Sequence, residues 1–224
     1  MSAASVPSRD KRESSALFDL EALDAAPLTR DPFDFVIVPG FVRPEALHEF
    51  NRDFPQCETP GNLSLERLRF GPAFAKLVDA LQSPELTSRF SAKFGVELAD
   101  RATDITVRGF CEPSDGDIHT DHWSKVVTAV LYLNEEWKPP EGRLRLLRSA
   151  SDIDDYVAEV PADRGAIVAF RRTGHSYHGH KRYTGPRRTL QLSWVKADPV
   201  AQLVRGLDRL GTRAMKRVSR LIQQ

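Results

Sequence analysis

Short strand-like runs separated by turn residues dominate the second half of the chain, from Asp104 to Val195. Ile105 and Val107 alternate with polar residues, as in a strand with one buried face. Val126–Leu133 is a continuous apolar run, typical of a central strand that is covered on both faces. A series of short strands joined by Gly- and Pro-containing turns predicts a β-sandwich or a β-barrel.

Segments with helical or polar patterns lie on both sides of this β region, and they suggest a division of the chain into three parts. Residues 1–30 are expected to form a disordered tail and lead-in, because they begin with a polar, charged stretch. Residues 31–198 are predicted to form one domain around a core at 104–195, with helices over 72–81 and 84–94 ahead of that core. Residues 199–224 have apolar residues at helical spacing and many arginines, which predicts a basic amphipathic C-terminal helix.

Composition excludes several classes of protein. The formal net charge of +1 gives no general attraction to nucleic acid, so no nucleic-acid partner is expected. No apolar run reaches the roughly 18 residues of a membrane span, and the polar N-terminus lacks the apolar core of a secretory signal. Cys57 and Cys111 form no recognisable motif, which favours reduced thiols and a cytoplasmic location.

A His-x-Asp pair, His119 and Asp121, is the clearest chemical feature. In an extended segment these two side chains point to the same side, so an imidazole and a carboxylate converge. His178 is predicted as the third ligand, although His175 and His180 lie in the same segment and stay open as a metal or substrate contact. Two histidines and one carboxylate on one face of a metal are the ligands of non-haem Fe(II) oxygenases.

Arg188 lies ten residues after His178, in a segment that alternates like a strand. The alternation places Arg188 with Leu190 and Leu192 on the apolar face, which we expect to line the barrel interior. A buried guanidinium requires an anionic partner, and a cosubstrate carboxylate would provide one. The alternative is a structural salt bridge with an acidic residue of the protein.

The ordered set of His119, Asp121, His178 and Arg188 resembles the 2-oxoglutarate-dependent Fe(II) oxygenases, and most closely the small bacterial relatives of the prolyl 4-hydroxylase catalytic domain. The resemblance implies a double-stranded β-helix core of the jelly-roll or cupin type, in a mainly β, α+β fold with flanking N-terminal helices and a C-terminal helix. It also implies Fe(II) as cofactor, 2-oxoglutarate and O2 as cosubstrates, and hydroxylation with release of succinate and CO2.

The same resemblance assigns roles to residues. His119, Asp121 and His178 would hold the metal, and Arg188 would hold the far carboxylate of 2-oxoglutarate. Tyr132 would be a further donor to that carboxylate, and Arg108 is another interior candidate that could instead pair with an acid. Two departures from the family pattern blur the subfamily: Glu141-Gly142 stands where Gly-Gly is common, and Phe110-Cys111 where Tyr is common.

Other functions use the same residues. A non-catalytic cupin-like protein could hold a structural or sensing metal with the histidines, and would not depend on 2-oxoglutarate. A metal-dependent hydrolase or isomerase could use the same three ligands without Arg188. The substrate stays open between a small molecule, a glycan and a protein side chain. Residues 199–224 could pack on the barrel or make peripheral contact with an anionic membrane.

Overall fold

The computed structural model describes residues 14–57 and 59–196, which combine helices with two antiparallel sheets. The helices are α1 (Leu20–Ala25), α2 (Pro44–Arg52), α3 (Pro72–Leu81) and α4 (Pro84–Phe94), with a 3-10 turn at Leu65–Arg67. The strands are β1 (Phe35–Val38), β2 (Leu63–Ser64), β3 (Thr103–Cys111), β4 (Lys125–Tyr132), β5 (Arg145–Leu147), β6 (Tyr156–Glu159), β7 (Ile167–Arg171), β8 (His178–Gly179) and β9 (Gly185–Val195).

The helices begin and end where local chemistry requires it. Proline lies in the first turn of α2, α3 and α4, where its missing N–H costs no hydrogen bond. The Ser83 side chain accepts a hydrogen bond from the amide of Leu86 and caps α4, and Gly95 ends that helix with a positive φ of 62°. The helices predicted over 72–81 and 84–94 therefore have the bounds that the structure gives to α3 and α4.

Two sheets form the β core. The larger sheet has the strand order β1-β7-β4-β9-β3-β2, and the smaller sheet has the order β6-β5-β8. Sequential strands are split between the two sheets, and the pairings between these strands are antiparallel. This arrangement confirms the predicted mainly β, double-stranded β-helix fold with N-terminal helices at its side.

The large sheet is buried on both faces, by different partners. Its outer face packs on the helices: Val127, Ala129, Leu190 and Leu192 belong to the same apolar cluster as Leu77 of α3. Its inner face contributes to a second, smaller cluster between the sheets, which contains Tyr132, Val168 and Phe170 together with Leu146 of the small sheet. The larger apolar cluster therefore lies outside the barrel, and the interior is left with more polar residues.

The lead-in segment is part of the folded structure. Leu20 and Leu23 of α1 are buried in the helix-covered cluster, and the Phe18 and Phe41 rings stack with centroids 4.8 Å apart. The predicted C-terminal helix at 199–224 lies outside the described residues, so its packing and its membrane contact stay predictions. Within 14–57 and 59–196, no helix is long and apolar enough to cross a membrane.

Candidate metal and cosubstrate site

Three side chains predicted as metal ligands come together at the mouth of the barrel. His119, Asp121 and His178 each place one donor atom within 4.8 Å of the others. The backbones of the two histidines pair directly, because the amide of His119 donates to the carbonyl of His178 at 3.0 Å and the reverse bond is 2.9 Å. Asp121 and His178 are buried, whereas His119 is exposed, so the cluster is reachable from one side.

Backbone carbonyls fix the tautomers of both histidines. The Nδ1 atom of His119 lies 2.8 Å from the carbonyl oxygen of Asp117, and that of His178 lies 3.0 Å from the carbonyl oxygen of Ser176. A carbonyl oxygen can only accept, so each Nδ1 carries the hydrogen and each Nε2 keeps a free lone pair. This is the orientation that metal-binding histidines adopt.

Asp121 is held as a carboxylate by two neighbours. The ammonium of Lys125 donates to Oδ1 at 2.8 Å, and the Thr128 hydroxyl donates to Oδ2 at 2.5 Å. Burial by itself raises the pKa of Asp121, but the charge of Lys125 and the hydrogen bonds from Lys125 and Thr128 oppose it, and the pKa is held well below its usual value. Asp121 is therefore ionised at neutral pH and can act as an anionic metal ligand.

His178 is held in the neutral form. Burial lowers its pKa to about 4, although the negative charge of Asp121 partly opposes that shift. A neutral imidazole and an ionised carboxylate are the protonation states that a divalent metal needs. The donor set of two imidazoles and one carboxylate thus suits Fe(II) with coordination positions left over.

The remaining histidines do not join this cluster. His175 is exposed in the turn that follows β7. His180 is buried, its Nδ1 lies 2.9 Å from the carbonyl oxygen of Lys181, and burial followed by the charge of Arg187 lowers its pKa to about 4. His122 faces Ser124 at 2.8 Å.

A buried arginine lies deeper in the barrel, on β9. Arg187 donates from Nε to the carbonyl of Gly142 at 2.9 Å and from Nη2 to the Tyr132 hydroxyl at 3.2 Å. Burial, the largest influence, raises the pKa of Tyr132, which keeps its hydroxyl a donor. Among the described residues, no carboxylate forms an ion pair with Arg187. This buried guanidinium can therefore bind an anion that comes from outside the protein.

The interior of the barrel connects Arg187 to the metal ligands. Tyr132 shares an apolar cluster with Phe170, and the Phe170 ring lies 4.6 Å from the His178 ring. Tyr132 and Phe170 thus link Arg187 to the donor cluster through neighbouring side chains of the interior. The site has a cationic side chain at one end and a candidate metal-donor cluster at the other.

The expectation that Arg188 faces this interior is wrong. Its Nη1 donates to the side-chain oxygen of Asn51 in α2 at 2.7 Å, and its guanidinium lies 5.1 Å from the centre of the Phe54 ring. Alternation along β9 grouped Arg188 correctly with Leu190 and Leu192, but that apolar face packs on the helices. Arg187 is the arginine on the inner face.

Arg108 forms an ion pair with an acidic residue, which was the alternative to a role in the interior. Its Nη1 lies 2.9 Å from Oδ2 of Asp115 and 3.3 Å from the sulfur of Cys111, and its Nε donates to Asn62. The Tyr132 hydroxyl accepts a hydrogen bond from Arg187, and the predicted contact of Tyr132 with the cosubstrate carboxylate stays a prediction. Lys125 and Thr128 were missed as partners of Asp121, because both contacts cross the turn between Asp121 and β4.

Comparisons with known proteins agree with this geometry. Residues 110–196 match the model of the 2OG-Fe(II) oxygenase superfamily. A Pseudomonas putida prolyl-4-hydroxylase is similar in structure, with a TM-score of 0.54 and 17% identity over 89% of this chain and 99% of that one. A Trichoplax adhaerens prolyl hydroxylase, solved with a hypoxia inducible factor peptide fragment, has a TM-score of 0.50 and 16% identity over 84% and 90% of the two chains. No curated protein matches the sequence.

Proposed function

We propose that the chain is an Fe(II)- and 2-oxoglutarate-dependent oxygenase that hydroxylates its substrate with O2, a proposal supported by the match of residues 110–196 to the 2OG-Fe(II) oxygenase superfamily model. One observation carries the proposal. The cluster of His119, Asp121 and His178 shares a barrel interior with Arg187, a buried cation that has no ion-pair partner among the described residues. A cupin-like metal-binding protein would need the cluster but not the arginine.

The residues take separate roles in this proposal. The two Nε2 atoms and the Asp121 carboxylate bind Fe(II) on one face, while Lys125 and Thr128 keep that carboxylate oriented. Bound Fe(II), with 2-oxoglutarate and O2, supplies the oxidation of a C–H bond and the conversion of 2-oxoglutarate to succinate and CO2.

Arg187 and Tyr132 bind the cosubstrate in this proposal. The guanidinium, held in place by Gly142 and Tyr132, presents its remaining N–H donors to the carboxylate that is not at the metal. Tyr132 adds a neutral hydroxyl. Apolar neighbours such as Val168 and Phe170 exclude water from the space between the two ends, which strengthens both contacts. Arg188 instead ties β9 to α2 and has no direct part in the chemistry.

We also place the protein in the cytoplasm, a proposal supported by two cysteines that form no disulfide, Cys57 and Cys111.

Formation of succinate from 2-oxoglutarate tests the proposed function. Purified protein supplied with Fe(II) and O2 should form succinate slowly even without substrate, and a chelator should stop the reaction. Arg187→Ala should lose this turnover at a 2-oxoglutarate concentration that saturates the wild type. A metal-binding or sensing protein would bind Fe(II) and form no succinate.

A further inference from the structure

Three neighbouring strands of the large sheet bring basic residues to one edge, beside the metal ligands. Arg172 follows the end of β7, Lys125 begins β4, and Lys196 follows the end of β9. β4 lies between β7 and β9 and is antiparallel to both. The amide of Arg172 donates to the carbonyl of Val126 at 2.9 Å, and the amide of Lys196 to that of Ser124 at 2.8 Å, so the three positions stay together.

The side chains of these residues surround Asp121 and its neighbours. The Lys125 ammonium contacts Oδ1 of Asp121 at 2.8 Å, and the Arg172 Nε donates to the Asp121 carbonyl oxygen at 3.1 Å. Lys196 places its ammonium 5.4 Å from the centre of the Trp123 ring. The three cations and this indole form what we call the basic rim of the site: Trp123, Lys125, Arg172 and Lys196.

The positive charges of the basic rim are only partly paired with acidic residues of the described part of the protein. Among the described residues, Arg172 and Lys196 form no ion pair, and Asp121 is the acid that pairs with Lys125. Arg172 uses only Nε, so its terminal nitrogens have no acceptor within the described part of the chain. A guanidinium with two free terminal nitrogens is shaped to bind a carboxylate or a phosphate.

The basic rim also includes an exposed aromatic side chain that an apolar part of a ligand could contact. The Trp123 side chain is 38% exposed, although Asp121, two positions earlier, is buried. His119 is exposed as well, whereas Asp121 and His178 are not, so the metal position opens toward the outside of the barrel. The basic rim lies beside this opening, because Lys125 and Arg172 both contact Asp121.

We propose that the substrate carries an anionic group, a carboxylate or a phosphate, which Arg172 and Lys125 bind while its apolar part contacts Trp123 and a C–H bond lies at the metal. This inference rests on the proposed function and adds the chemical class of the substrate. It differs from cosubstrate binding, which uses Arg187 in the interior.

An alternative is that the cations only balance the charge of Asp121. That role is already filled, because Lys125 and Thr128 contact both oxygens of the carboxylate. Arg172 touches the backbone carbonyl instead, and Lys196 lies on Trp123. One carboxylate cannot neutralise three cations, and coordination to Fe(II) would draw its charge further from Lys125.

Paired probes that differ only in charge test the proposal. Full-length protein loaded anaerobically with Fe(II) and saturating 2-oxoglutarate would be dialysed against 3-phenylpropionate or its amide, and against 2-phenylethyl phosphate or 2-phenylethanol. We expect at least one anionic probe to bind about tenfold to a hundredfold more tightly than its neutral partner, the usual range for a hydrogen bond to a charged group. The preference should weaken as salt is raised.

Two neighbouring arginines supply the matched variants. Arg172→Gln should remove most of the preference, because it deletes the charge but leaves the side-chain contacts of Asp121 in place, and Arg172→Lys should retain part of it. Arg171→Gln deletes the same charge at an exposed position on the other face of β7 and should change nothing. Equal binding of charged and neutral probes, no binding of either anion, or equal losses in the Arg171 and Arg172 variants would overturn the proposal.

Succinate formation, measured on the same preparations in air, separates this inference from the proposed function. Succinate without a charge preference leaves the oxygenase in place and rejects the anionic substrate. A charge preference that depends on Arg172, without succinate, supports the anion site and rejects the oxygenase.

Discussion

Arg187 and Arg188 are adjacent in β9, yet their guanidinium groups lie on opposite sides of the large sheet. Arg187 reaches the hydroxyl of Tyr132 at 3.2 Å in the interior, and Arg188 reaches the side-chain oxygen of Asn51 at 2.7 Å beneath the helices. One arginine is therefore available to an anion that enters the barrel, and the other fastens the sheet to α2.

Substitution of the two arginines should separate these roles. We expect Arg187→Ala to weaken 2-oxoglutarate binding by about tenfold to a hundredfold, because a charged hydrogen bond is lost. Arg187→Lys should recover only part of the affinity, since an ammonium lacks the planar fork. Isothermal titration with 2-oxoglutarate under anaerobic conditions gives the dissociation constants.

Arg188→Ala is the matched control. It should lower the free energy of unfolding by about 1–3 kcal/mol, through the lost contacts with Asn51 and Phe54, and leave the affinity for 2-oxoglutarate nearly unchanged. A large loss of cosubstrate affinity in the Arg188 variant, with none in the Arg187 variant, would reverse the assignment.

The sequence indicated which residues of β9 share a face but not which face lies inside. Both faces of this strand are buried, so burial could not choose between Arg187 and Arg188. Which face of β9 lies inside depends on α3 and α4, because their apolar residues pack against the face that carries Leu190. That packing is a tertiary contact, and the alternation of residues within one strand gives no information about it.

The convergence of His119 and Asp121 was easier to predict from the sequence, because it depends on local geometry. His119 and Asp121 are two residues apart, so an extended backbone is enough to bring them together. The contact between Asp121 and Thr128 instead spans a turn and the start of β4, where neither helical nor strand periodicity applies. The contact between Arg172 and the Asp121 carbonyl joins two loop positions 51 residues apart and had no counterpart in the sequence pattern.

The prediction that His178 is the third metal ligand can be tested by comparison with His175, which lies in the same segment. His178→Ala should abolish Fe(II) binding, because two donors remain from a set of three. His175→Ala should leave Fe(II) binding largely intact, since His175 is exposed in a turn and is not part of the donor cluster. Metal content after gel filtration, with circular dichroism to verify folding, provides the measurement. Full Fe(II) occupancy in the His178 variant would exclude it as a ligand.

Thr128 should matter through its hydroxyl. Thr128→Val keeps the shape but removes a donor from the buried carboxylate of Asp121, so we expect about 1–3 kcal/mol of lost stability. Fe(II) affinity should fall by about tenfold or more, as is usual when a group that orients a ligand is removed. Thr128→Ser, which restores the hydroxyl, should recover most of both quantities. Equal affinities for Fe(II) in the valine variant and the wild type would show that the hydrogen bond does not position Asp121.

Gly116 is predicted to hold the loop that carries His119 against β8. Its φ is +105°, and a Cβ at this position would lie 2.5 Å from the backbone oxygen of His180. Gly116→Ala should therefore cost about 2 kcal/mol or more and weaken Fe(II) binding, because it pushes the loop away from His178. Gly174→Ala is the control, since a Cβ there meets nothing within 4 Å. Thermal unfolding and Fe(II) titration would reveal the difference, and equal melting temperatures for the two variants would contradict it.

The central claim is that one interior binds Fe(II) and 2-oxoglutarate together, through His119, Asp121 and His178 at one end and Arg187 at the other. Anaerobic addition of 2-oxoglutarate to the Fe(II)-loaded protein, followed by visible absorption, tests it most directly. We predict a weak metal-to-ligand charge-transfer band that saturates at one 2-oxoglutarate per iron, is absent from His178→Ala and needs higher 2-oxoglutarate in Arg187→Ala. An unchanged spectrum in protein that has bound stoichiometric Fe(II) would contradict the claim.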